Sequence, residues 1–104
     1  MLIDVTEEHI KDGIREDECN CPIALAVCDA VLADMPEGYK HPNVITVVHD
    51  EDIQVYYLNG REIEYQFNIS PKVKGDWDYI GEFISEFDGD HYVEPFEMEF
   101  EVIQ

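Results

Sequence analysis

Three short apolar runs between Val44 and Ile69 constrain the fold of this chain more than anything else in it. Val44-Ile45-Thr46-Val47-Val48 and Ile53-Gln54-Val55-Tyr56-Tyr57-Leu58 are rich in β-branched and aromatic residues, the types that suit a pleated, half-buried surface. Only His49-Asp50-Glu51-Asp52 separates them, so they are expected to pair as a hairpin. Asn59-Gly60 follows, and both residues tolerate the positive φ of a type I′ turn. Beyond it Ile63, Tyr65, Phe67 and Ile69 alternate with Glu64, Gln66 and Asn68, a period of two. The segment therefore predicts a three-stranded antiparallel meander.

Helical signals lie on either side. Thr6 precedes Glu7 and Glu8, an N-cap with negative charge in the first turn. Val5 and Ile10 stand at the positions of a hydrophobic staple, and Gly13 is a stop. Cys21 and Pro22 open a second helix, Pro22–Ala33, since proline suits the first helical position. Leu25, Cys28 and Leu32, with Val31 and Met35 beside them, make one apolar stripe; the helix is nearly apolar all round and should be deeply buried. Met35 to Pro42 reads as a loop. A second loop, Ser70 to Asp76, leads to Trp77, Ile80, Phe83, Ile84 and Phe87, an amphipathic helix stopped by Gly89. Leu2–Val5 and Phe96–Val102 read as terminal strands. The expectation is an α+β fold: the meander plus terminal strands in one antiparallel sheet, packed with two main helices and a short N-terminal helix. At 104 residues one domain, 1–104, accounts for the chain.

Charge is the second constraint. Twenty-five Asp and Glu against six Lys and Arg give a formal charge of -19, which repels itself in the folded state. Residues 75–104 hold ten carboxylates and no Lys or Arg, whereas residues 38–74 are nearly neutral. Such a surface repels phosphate backbones and anionic lipids. No direct nucleic-acid or membrane partner is expected. Met1-Leu2-Ile3-Asp4 lacks the basic start and apolar stretch of a signal peptide, and three cysteines fit a reducing compartment. A cytoplasmic protein is expected.

Two acidic rows carry the functional reading. Asp78, Glu82 and Glu86 recur four apart on the last helix; Glu97, Glu99 and Glu101 alternate with Phe96, Met98, Phe100 and Val102 on the last strand. Strand residues two apart project about 7 Å from each other, a spacing like that of successive phosphates. A rigid anionic surface of this kind would occupy a Lys/Arg-lined groove by the charge pairing nucleic acids themselves use. The partner expected is a host protein with a basic nucleic-acid-binding groove. Two alternatives leave the rows without a partner: acidity for solubility, or adaptation to high salt. A third places the contacts on the near-neutral hairpin around Tyr56, Tyr57 and Tyr65, because such aromatics anchor interfaces.

No catalytic set emerges, and no enzyme activity, cofactor or small-molecule substrate is expected. Cys19, Cys21 and Cys28 with His9 could supply four zinc ligands, but Cys19-Asn20-Cys21 has one intervening residue where structural sites favour two or more. Cys28 falls on the apolar stripe, as a small core residue does. Asp88-Gly89-Asp90 lacks the ligand ladder and closing Glu of a calcium loop. His41 and His49 read as surface residues.

Val5-Thr6-Glu7-Glu8-His9-Ile10-Lys11-Asp12-Gly13 with Cys21-Pro22-Ile23-Ala24-Leu25-Ala26, and Trp77 through Ile84 with Phe87-Asp88-Gly89, Val93-Glu94-Pro95-Phe96 and Glu99-Phe100, resemble the two ends of a family of small phage and prophage proteins. Glu16-Asp17-Glu18 and Asp90-His91-Tyr92 depart from its pattern. The resemblance implies a phage setting and no catalytic residues. Phages make small acidic proteins that block restriction, CRISPR or repair enzymes by resembling DNA, and this chain is similar to those inhibitors in size and charge.

Overall fold

A computed structural model describes residues 1–34, 43–49 and 51–103. In chain order the elements are β1 (Leu2–Val5), α1 (Glu7–Asp12), α2 (Pro22–Ala33), β2 (Asn43–His49), β3 (Asp52–Asn59), β4 (Glu62–Pro71), α3 (Asp76–Asp88) and β5 (Phe96–Ile103). The five strands form one sheet in the order β1-β5-β4-β3-β2, every neighbouring pair antiparallel. The α+β expectation holds: the meander is present and the terminal strands extend it at one side. The expected loop Met35–Pro42, with His41, lies outside the described residues, as does Asp50 in the β2–β3 turn.

Although β1 and β2 are opposite ends of the strand order, α2 packs against both. The sheet therefore curls around this helix. The core between them is Ile3 and Val5 from β1, Ile23, Val27 and Val31 from α2, and Ile53, Val55, Ile69, Met98 and Phe100 from the inner strands, closed by Ile80 and Phe83 of α3. The two ends of the strand order are tied down. Along β2 the Val48 N–H donates to the Glu18 carbonyl at 3.0 Å, so the connector between α1 and α2 covers backbone groups that an edge would expose. At β1, Met1 and Phe100 exchange backbone bonds of 2.8 and 3.0 Å.

Local sequence accounts for the helix ends. Thr6 caps α1 and the Cys21 thiol accepts from the Ala24 N–H at 3.5 Å. Val5 is buried and Ile10 packs against the core, as a staple requires. Gly13 ends α1 with φ -65°, outside the left-handed region usual for a glycine stop. Its glycine serves close packing instead. An added Cβ would meet Pro22 Cδ at 2.7 Å.

Three local expectations are corrected. On α2 the buried line is Ile23, Val27 and Val31, while Leu25 and Cys28 are half-buried and Leu32 is 44% exposed. A helix apolar all round carries no periodic signal to choose its inner face, and the curled sheet chooses it. The β3–β4 turn is not type I′: Asn59 pairs with Glu62, and Gly60 (φ 65°) and Arg61 are the central residues. Positive φ at the first central position alone is the type II′ pattern. Finally, Tyr57 pairs with Tyr65 but Leu58 with Ile63, leaving Glu64 as an extra residue. This bulge breaks the alternation and parts Ile63 from the face of Tyr65, Phe67 and Ile69.

Candidate protein-binding surface

Helices cover the concave face of the sheet, and among the described residues none lies over the convex face. In antiparallel pairs, directly opposed residues share a face. Because Ile3 opposes Met98 in the core, the intervening pairs Asp4–Glu97 and Leu2–Glu99 point outward. Glu101 opposes Ser70 on the same open face. Glu97, Glu99 and Glu101 are exposed, and Asp4 joins them. Asp4 was not among the sequence-predicted row. On a strand Asp4 points away from the side of Ile3 and Val5, but its position opposite Glu97 depends on the β1–β5 register, which no local signal gives.

The row is partly neutralised. The N-terminal ammonium lies 3.5 Å from Glu99 Oε2 and Lys72 Nζ lies 3.9 Å from the same atom. Chain distance hides both cations from a reading of residues 75–104 alone. Glu97, Glu101 and Asp4 have no cation among the described ion pairs.

Asp78, Glu82 and Glu86 are exposed on α3, whose opposite side buries Ile80, Phe83 and Phe87. Phe83 and Tyr79 contact Phe96 edge-on, at ring-centroid distances of 5.0 and 4.9 Å. Phe96 opposes Val5 on the concave face. The α3 row thus points away from one side of the molecule and the β5 row from the other. They face apart, and no single shallow groove meets both.

The hairpin tyrosines divide as well. Tyr56 opposes Ile45 and Gln66 on the open face and donates its hydroxyl to Gln54 Oε1. Tyr57 and Tyr65 lie on the other face with Phe67, their rings 5.6 to 5.9 Å apart. Near the β3–β4 turn Ile63 and Tyr65 are 59% and 54% exposed.

Several other chemistry-bearing residues hold elements of the fold together. His9 sits at the third position of α1 and completes a capping box: its Nδ1 accepts from the Thr6 N–H at 3.0 Å, and its own N–H donates to Thr6 Oγ1 at 3.3 Å. An accepting Nδ1 places the ring proton on Nε2, which donates to Asp29 Oδ2 at 2.6 Å. Thr6, His9 and Asp29 are the residue types of a hydrolase relay, yet the Thr6 hydroxyl is spent on the cap, and the Asp29 bond joins α1 to α2. Asp88 Oδ1 accepts from the Glu16 N–H at 2.9 Å and Asp90 Oδ1 meets Arg15 at 3.0 Å. The acidic loop after α3 thereby holds the α1–α2 connector. His49 pairs with Glu18 at 3.1 Å.

All three thiols are held above their ordinary pKa. Burial is the leading cause at Cys21 and Cys28, and desolvation followed by the Asp17 and Glu18 charges acts on Cys19. Cys28 Sγ lies 3.2 Å from the buried Thr46 hydroxyl. Bonds from the Asn20 side chain and the Cys19 N–H pull the Asp17 carboxyl below its usual range. Among the described residues no three His, Cys, Asp or Glu side chains converge as a metal site, and no helix is long and apolar enough to cross a membrane.

Comparison with protein-family models, curated proteins and solved structures finds no match to this chain.

Proposed function

We propose that this chain is a non-enzymatic acidic binding protein whose open sheet face takes the place of a nucleic acid on a basic surface of a partner protein. The observation that carries the reading is the set Asp4, Glu97, Glu99 and Glu101 on adjacent antiparallel strands. These carboxylates stand on a hydrogen-bonded ladder backed by buried Ile3, Met98 and Phe100, so the backbone that spaces them is already ordered before binding. Asp4 directly opposite Glu97 costs stability, since like charges opposed across strands repel. A cationic partner removes that cost. The phage-protein resemblance supports a finer version, in which the partner is a host DNA- or RNA-processing or defence enzyme and the chain is its inhibitor.

Because the α3 row faces the other way, it adds to the same contact only where a partner encloses the molecule, whose principal extents are 39 × 27 × 21 Å. A partner that presents one groove engages the open face and leaves Asp78, Glu82 and Glu86 in solvent.

The test is capture from nuclease-treated host lysate on immobilised protein, eluted by increasing salt. A nucleic-acid enzyme is expected to elute as salt rises, and to be absent when Glu97, Glu99 and Glu101 are all changed to Lys. Equal capture by the reversed variant refutes the reading. A second reading places the contact on the hairpin around Tyr56, Tyr57 and Tyr65, where Tyr65 is 54% exposed beside Phe67; in that case Tyr65→Ser abolishes capture and the charge reversal does not.

A further inference from the structure

Between α3 and the segment leading into β5 lies a cavity of about 320 Å3. Its aromatic walls come from Tyr79, Phe83 and Tyr92, and Glu82, Glu86 and Glu94 supply its charge. No Lys, Arg or His is among the described residues that line it. Phe96 buttresses both Tyr79 and Phe83 edge-on, which fixes two of the three rings. Tyr92 is 80% exposed, whereas Val93 beside it in the lining is buried. Tyr92 also borders a second cavity, and there Lys11, Arg15 and His91 stand among the lining residues. Glu7 and Asp90 line that second cavity as well, so its charge is mixed, whereas the α3 cavity carries carboxylates alone.

We propose that the α3 cavity binds the guanidinium end of an arginine side chain presented by a protein partner. Ring faces carry negative electrostatic potential and attract cations, arginine more often than lysine. The planar guanidinium also offers five donors to carboxylates, and three are at hand. An anion is repelled by Glu82, Glu86 and Glu94, and a neutral apolar group would desolvate them without compensation. The volume lies at the small end of ligand cavities, suited to one side chain. That the guanidinium belongs to a protein rests on the reading above in its enclosing form, where the partner also reaches α3; the preference of the cavity for a cation does not.

The experiment is an NMR titration of the full chain with N-acetylarginine methylamide, at ionic strength held constant with sodium chloride. Saturable amide shifts are expected at residues 79, 82, 83, 86 and 92–94. Tyr92→Ala removes an exposed ring and Glu86→Gln an exposed charge, so both variants keep the core; each should weaken binding roughly two- to fivefold. The lysine analogue should bind more weakly. Shifts spread evenly over all exposed carboxylates, binding that Tyr92→Ala leaves unchanged, or equal binding of the lysine analogue each overturns the proposal. None of these touches the open-face reading, which is tested by Glu97→Lys, Glu99→Lys and Glu101→Lys, a variant in which every residue of this cavity is retained.

Discussion

Replacing Asp4 should stabilise the protein, and by an amount the register fixes. Asp4 and Glu97 are directly opposed and both exposed, and opposed side chains on adjacent strands stand about 5 Å apart. Two unit charges at that separation in water repel by about 0.8 kcal/mol. A screening length of about 8 Å at physiological salt roughly halves this. Asp4→Asn, which removes the charge at nearly constant shape, should therefore gain about 0.4 kcal/mol. Asp4→Lys turns repulsion into attraction and should gain about 0.8 kcal/mol. For a domain of this size these correspond to roughly 2 and 4 °C in Tm. Thermal melts by circular dichroism at two salt concentrations provide the assay. In about 1 M salt the screening length falls to about 3 Å, and the gains should shrink to less than half. The same variants should bind a cationic partner less well, which is the reason a destabilising pair would be kept. No stabilisation, or a gain indifferent to salt, would refute the argument that these two carboxylates repel across the open face.

Other outcomes follow from close packing, from charge and from the thiols. Gly13→Ala should cost about 1–3 kcal/mol through overpacking against Pro22, measured by urea denaturation, whereas Gly75→Ala, where the added Cβ meets nothing, should be near neutral. Because folding raises the pKa of all three thiols, the stability they contribute is fully present below the unfolded thiol pKa of about 8.5 and is lost as pH rises through the folded values. Urea midpoints should thus fall on the alkaline side. At neutral pH, mass spectrometry after brief alkylation should find exposed Cys19 modified first, with buried Cys21 protected until the chain unfolds.

Much of the fold is legible in the sequence because its signals are local. Thr6, Pro22 and the alternation from Phe96 to Val102 each act within a few residues, and the elements begin and end close to where these place them. What eludes a linear reading is set by pairing between distant segments. Which side of α2 turns inward depends on a sheet that curls around it, and the residues of that helix offer no contrast to reveal this. The extra residue Glu64 appears only when β4 is laid against β3. The candidate surface divides in the same way. Outward pointing of Glu97, Glu99 and Glu101 follows from alternation, but their neighbours Asp4, Lys72 and the N-terminus arrive through β1 and β4. That the α3 and β5 rows face apart is a consequence of α3 lying on the concave side.

The central claim is that the open face stands in for a nucleic acid, and competition tests it most directly. With the captured partner purified, its binding to a fluorescent duplex would be followed as this chain is added. Mutually exclusive binding is predicted, weakening steeply with salt and lost when Glu97, Glu99 and Glu101 become Lys while the circular dichroism spectrum is unchanged. A partner that holds duplex and this chain together, or that binds the reversed variant as well as the original, would contradict it.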